Sequence, residues 1–92
     1  MPSSESNKWQ VVITNSGKKD LDSLDNLIRR RILLKIKWFE ENFQNVAPLP
    51  LDVQFKGFFK LRVGDWRIIY EIDYNSRQII VYAVDNRDKI YK

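Results

Sequence analysis

Ninety-two residues hold one domain of ordinary size with one modest core. A chain with 43% hydrophobic and 30% charged residues is not wholly disordered. It has no Cys and no His, which excludes disulfides, Cys/His zinc sites and catalysis by a histidine base or a cysteine nucleophile; Lys+Arg 16 against Asp+Glu 12 gives +4, a surplus that hints at an anionic partner such as nucleic acid.

Residues 1–7 are polar and read as a disordered tail without the basic-then-apolar order of a signal peptide. The apolar run at residues 79–84 falls far below the roughly 18 residues of a membrane span. No membrane attachment and a cytoplasmic location are therefore expected, with a single domain over residues 8–92.

Residues 8–14 are rich in β-branched side chains and predict a strand. Asn15-Ser16-Gly17 breaks it, and Ser16 is expected to cap a short helix over residues 17–24, with Leu21 and Leu24 on its apolar side. Asp25 can cap a longer helix with an apolar stripe of Leu27, Ile28, Ile32, Ile36, Phe39 and Phe43. Arg29, Arg30, Arg31, Lys35 and Lys37 fill much of the rest and read as a solvated face. Pro48 and Pro50 end this helix. Leu51, Val53 and Phe55 then alternate, as in an extended connector laid over the core.

Residues 58–63 and 66–73 predict two strands joined at Gly64-Asp65. Gly64 supplies the positive φ of a two-residue hairpin, and the order Gly-Asp fits a type II′ turn better than I′. After a turn at residues 74–77, residues 78–84 predict a third strand, apolar on both faces and hence central. Residues 85–92 are expected to add a helical turn. The fold expected is α+β in the order β-α-α-β-β-β. Two helices pack on one face of a mainly antiparallel, four-stranded sheet.

A two-residue loop sets Val63 opposite Trp66, Arg62 opposite Arg67 and Leu61 opposite Ile68. Phe59, Leu61, Val63, Trp66, Ile68, Tyr70 and Ile72 then face the helices. Lys60, Arg62 and Arg67 cluster on the outer face. Like charges directly across a hairpin are mildly destabilising. A phosphate can neutralise them, and the planar guanidinium fork suits it. The purely structural alternative is a pairing with Glu71, Asp73, Asp85 or Asp88. Tyr82 also bears on this face. If the last strand neighbours residues 66–73, Arg87 and Tyr91 reach its rim; otherwise Tyr91 is an amphipathic ring capping the sheet.

The run Gly57…Lys60-Leu61-Arg62-Val63-Gly64-Asp65-Trp66-Arg67-Ile68-Ile69-Tyr70-Glu71-Ile72-Asp73 resembles the signature of the RelE/ParE superfamily of bacterial type II toxins. That signature reads Arg/Lys-Leu-Arg-Val-Gly-Asp-Tyr-Arg, two apolar residues and Tyr-Glu-Ile. Trp66 stands at its usual Tyr. Asn86-Arg87…Ile90-Tyr91 is similar to the family's closing motif, so the resemblance runs from about Trp9 to Tyr91. For RelE-like members it implies a small α/β domain that cleaves mRNA in the ribosomal A site without metal or cofactor. The implied partners are the ribosome, mRNA and a cognate antitoxin, the last in a toxin–antitoxin hetero-oligomer.

Carried over by position, Lys60, Arg67, Arg87 and Tyr91 are the implied catalytic residues, and Lys60, Arg62 and Lys89 the implied RNA contacts. In the implied reaction the mRNA 2′-OH attacks the adjacent phosphate. Arg67 and Arg87 would stabilise the phosphorane charge. Lys60 would do the same or act as base. A Lys base must fall from about 10.4 to about 7, a differential interaction of roughly 4–5 kcal/mol, and neighbouring cations push that way. Tyr91 would orient the nucleophile, stack on a base or relay a proton.

Three departures stand out. Asn86 occupies a usual His or Lys position, Asp85 a usual Gly, and Phe58 the place of a second Lys in some ribonuclease members. Asn86 and Phe58 suit a non-nuclease inhibitor of DNA gyrase of the ParE type, which needs no acid–base set, and the +4 surplus also permits an inactive or purely RNA-binding relative. Retention of Lys60, Arg67, Arg87 and Tyr91 favours the ribonuclease.

Overall fold

A computed structural model of the chain describes residues 8–86. The expectations for residues 1–7, for Arg87, Lys89 and Tyr91, and for a helical turn beyond Asn86 lie outside the described residues.

Strand β1 (Gln10–Ile13) leads into helix α1 (Asn15–Asp22). The cap of α1 is Thr14, not Ser16: the Thr14 hydroxyl oxygen accepts from the Gly17 amide at 3.1 Å. Ser16 instead donates to the Tyr82 carbonyl at 3.0 Å. The helix starts early because Gly17 must press against strand β5 (Gln78–Asn86). A Cβ at Gly17 would lie 2.9 Å from the Val81 carbonyl oxygen and 3.0 Å from Ile13 Cγ2. Both neighbours belong to strands, so neither can swing aside. Gly17→Ala should therefore destabilise the fold by about 1–3 kcal/mol, as overpacking does, despite the better helix propensity of Ala. A urea unfolding midpoint that rises would contradict this packing. The helix stops at Asp22, short of the expected residue 24. Ser23 turns back there, donating from its hydroxyl to the Asp20 carbonyl at 2.7 Å.

Helix α2 (Asn26–Asn42) is capped as expected, with the Asp25 carboxylate accepting from the Ile28 amide at 3.1 Å. Ile32, Ile36, Phe39 and Phe43 are buried. Leu27 departs from the expected stripe and is 76% exposed. It lies five residues before Ile32, about 140° round the helix, and so faces away from the sheet. Glu40 reaches the sheet edge, where its carboxylate accepts from the Val11 amide at 2.7 Å and covers β1. A 3-10 turn over Phe43–Asn45 closes the helix.

The sheet has five strands rather than four, in the order β1-β5-β4-β3-β2. The added strand is β2 (Leu49–Pro50), paired antiparallel with β3 (Phe58–Val63) through Leu49↔Lys60 and Pro50↔Phe59. Pro50 lacks an amide hydrogen and is tolerated at an edge. The following residues form turns rather than a connector over the core, with the Phe55 amide donating to the Asp52 carbonyl and the Phe58 amide to the Phe55 carbonyl. Val53 and Phe55 are exposed.

Strands β3 and β4 (Trp66–Asp73) pair in the expected register, Val63↔Trp66, Arg62↔Arg67 and Leu61↔Ile68. Gly64 has a φ of +60° and Asp65 a negative φ, the signs of a type II′ turn. β5 lies between β4, antiparallel, and β1, parallel. It runs through Asn86, so Asp85 and Asn86 are strand rather than the start of a helical turn. The core gathers Leu21, Ile32, Phe39, Ile68, Tyr70, Ile79 and Val81 between helices and sheet. Phe39 sits edge-on to Tyr70 at 4.9 Å, and burial pushes the Tyr70 hydroxyl up to about 12. Among the described residues no helix is long and apolar enough to cross a membrane.

Candidate functional site

The site lies on the sheet face turned away from the helices. Alternation along β3 puts Phe58, Lys60 and Arg62 there, and the β4 register adds Arg67, Ile69 and Glu71. The structure thus brings Lys60, Arg62 and Arg67 together as expected. Arg62 is exposed, and Lys60 is half-buried opposite Ile69.

The third column depends on a bulge. Ile69 pairs with Ala83 but Tyr70 with Val81, so Tyr82 is an extra residue in β5. Ile79 and Val81 point into the core, and after the bulge Val84 does so instead of Ala83. The change of phase aims Asp85 outward, directly opposite Arg67. Regular alternation from Ile79 would have aimed Asp85 inward.

Asp85 uses this placement to grip Arg67. The Arg67 Nε donates to Asp85 Oδ1 at 3.0 Å and Nη2 to Oδ2 at 3.2 Å. The Arg67 side chain is 12% exposed and that of Asp85 31%. This fork-to-carboxylate pair fixes the guanidinium and offsets its charge. The structural alternative considered for the arginines therefore holds for Arg67, with Asp85 as partner.

The other carboxylates have different work. Asp73 accepts from the Asn75 and Ser76 amides at 3.0 and 3.2 Å, closing the turn before β5. Hydrogen bonds from Ser76, with a smaller contribution from Asn75, hold its carboxyl below the usual range. Glu71 accepts from the Tyr82 hydroxyl at 2.9 Å. That bond leads the causes that push the Tyr82 hydroxyl above its ordinary value, with desolvation second. The Phe58 ring meets Tyr82 edge-on, with centroids 5.4 Å apart.

Arg31 was read as solvated helix face, yet it reaches the hairpin tip. A Cβ built on Gly64 would lie 3.2 Å from its Nη2. The basic triplet carried no signal that would single out Arg31, because the reach depends on how α2 packs. The arrangement can take a phosphate: exposed Arg62 and half-buried Lys60 share one outer face with the Asp85-held Arg67, and Arg31 stands at the hairpin tip. Arg87, Lys89 and Tyr91 fall beyond Asn86, the last described residue.

The comparisons with known proteins agree with this geometry. Residues 11–91 match the model of the ParE toxin of the type II toxin–antitoxin system parDE. Toxin RelG of Mycobacterium tuberculosis is 30% identical over 88 residues, covering 91% of this chain and 97% of RelG. The toxin–antitoxin complex RelBE2 from the same organism holds a chain with a TM-score of 0.75 at 25% identity, covering 87% of this chain and 99% of that one. Isolated Escherichia coli RelE toxin shares the fold, with a TM-score of 0.70 at 15% identity over 90% of each chain. Hairpin register, helix pair, sheet order and these matches together establish that the chain belongs to the RelE/ParE superfamily of type II toxins.

Proposed function

We propose that this toxin is a ribosome-dependent endoribonuclease that cuts mRNA in the A site and so stops translation. The observation that carries the reading is the cluster of Lys60, Arg62 and Arg67 on one outer sheet face of a chain without histidine. Cleavage begins with the mRNA 2′-oxygen bonding to the adjacent phosphorus. The bond from phosphorus to the 5′-oxygen of the next nucleotide then breaks. The 2′-proton goes to a base, and the leaving oxygen takes up a proton.

Arg67, fixed by Asp85, and Arg87, next in sequence after Asn86, stabilise the phosphorane charge. Lys60 stabilises the same charge or accepts the proton. Tyr91 orients the nucleophile. Arg62 and Lys89 hold flanking phosphates. The ribosome supplies most of the alignment, which is why few acid–base groups suffice. The partner that silences the toxin is a cognate acidic antitoxin, and the site of action is the cytoplasm, where ribosomes are found.

A second reading has its own support. Arg67 is held by a carboxylate, Asn86 cannot act as a general acid near neutral pH, and Phe58 replaces a cation. A ParE-type inhibitor of DNA gyrase needs no acid–base set. Purified toxin added to programmed ribosomes separates the two. Primer extension should stop at the A-site codon, and Arg87→Ala should remove the stop. Intact mRNA together with blocked gyrase supercoiling would select the second reading.

A further inference from the structure

We propose that Phe58, Tyr82 and Glu71 form a subsite for one nucleobase of single-stranded RNA, beside the cations that hold its phosphates. The inference deepens the reading of the outer sheet face as an RNA surface and rests on it.

A small two-layer fold needs apolar side chains on the face toward its helices. Its outer face gains little from aromatic rings, yet Phe58 and Tyr82 meet there at 5.4 Å. Both residues are half-buried, so neither is sealed from solvent. Phe58 sits two residues before Lys60 and four before Arg62, on the same side of β3. Successive rows lie ~7 Å apart, so ring, lysine and arginine line up along one strand. Tyr82, next to inward-facing Val81, joins them on the outer side of β5, at the bulge after which Asp85 also turns outward.

Bases stack on aromatic side chains whatever their identity, and every base has a face to offer. Glu71 adds a means of choosing among them. It lies opposite Phe58, and its Oε1 accepts from the Tyr82 hydroxyl at 2.9 Å. An ionised carboxylate has about four acceptor sites, so this one bond leaves capacity for the amino group of cytosine or adenine. Asp85, the other carboxylate of this face, is engaged by Arg67, whereas Glu71 stands at the aromatic end of the face, away from Arg62 and Arg67 at the hairpin end, where it can meet a base edge.

Binding of a cytidine hexaribonucleotide, followed by fluorescence anisotropy, tests this against a hexamer of abasic ribose phosphates carrying the same charge. Tyr82→Ala should weaken the cytidine hexamer roughly tenfold and leave the abasic one unchanged. Arg62→Ala should weaken both. Tyr82→Phe keeps the ring and should retain most of the affinity. Glu71→Gln should narrow the preference for cytidine over uridine hexamers. Equal weakening of both probes by Tyr82→Ala in a folded variant, no effect on either, or a wild type that binds neither probe would overturn the subsite. Loss of ribosomal cleavage with these oligonucleotide differences intact would sink the nuclease reading and spare the subsite.

Discussion

Arg67→Ala should lower A-site cleavage by about 10²–10³-fold, the usual loss when one preorganised donor to a developing oxyanion is removed. The expectation rests on geometry. Arg67 is largely buried on the outer sheet face and gripped at two nitrogens by Asp85. A side chain fixed in this way loses little rotamer freedom when phosphate arrives. Arg67→Lys keeps the charge but cannot reproduce the planar fork, so it should recover little of the activity. The fold should lose about 1–2 kcal/mol in either variant, between the limits for exposed and buried ion pairs. Single-turnover cleavage of ribosome-bound mRNA, with circular dichroism to follow folding, measures both. Activity within threefold of wild type would remove Arg67 from the mechanism.

The second large effect concerns the core. Phe39→Ala should cost about 3–5 kcal/mol. Phe39 is 1% exposed and packs against Tyr70 at 4.9 Å and Phe43 at 5.3 Å. It therefore ties α2 to the middle strand of the sheet. Natural domains hold about 5–15 kcal/mol in all, and small ones sit near the lower end. The thermal midpoint should fall by roughly 15 °C or more, or the variant should fail to fold. A fall of a few degrees would mean that the ring contacts contribute far less than their burial implies.

How far the sequence carried can be read from particular residues. The hairpin was legible because period-two alternation and Gly64-Asp65 both specify its register, and the two signals agree. Asp25 was legible as a cap because one acidic residue stands just before a strong helical stripe. Thr14 and Ser16 offered similar hydroxyls two positions apart. The choice was made by the approach of Gly17 to Val81, a contact between segments 64 residues apart in the chain.

The bulge at Tyr82 left no trace either. Residues 79–84 are apolar on both sides, so the run carries no phase, and neither the face of Asp85 nor its grip on Arg67 could be read from it. β2 was missed because two residues are too few for a period. Leu27 was assigned to the stripe by its hydrophobicity, against its angle around the helix. The site was thus legible as a list of cations, with Asp85 one of four possible counter-charges. The strand pairing showed that Asp85 is the carboxylate that grips Arg67 and that the Phe58 and Tyr82 rings meet on the same face.

The most direct test of the nuclease claim sets three reactions side by side with one preparation of wild-type toxin: free mRNA, the same mRNA programmed on ribosomes, and gyrase with relaxed plasmid. Cleavage confined to the ribosomal reaction, at the A-site codon, with supercoiling untouched, is the predicted result. Blocked supercoiling with intact mRNA in both RNA reactions would contradict it.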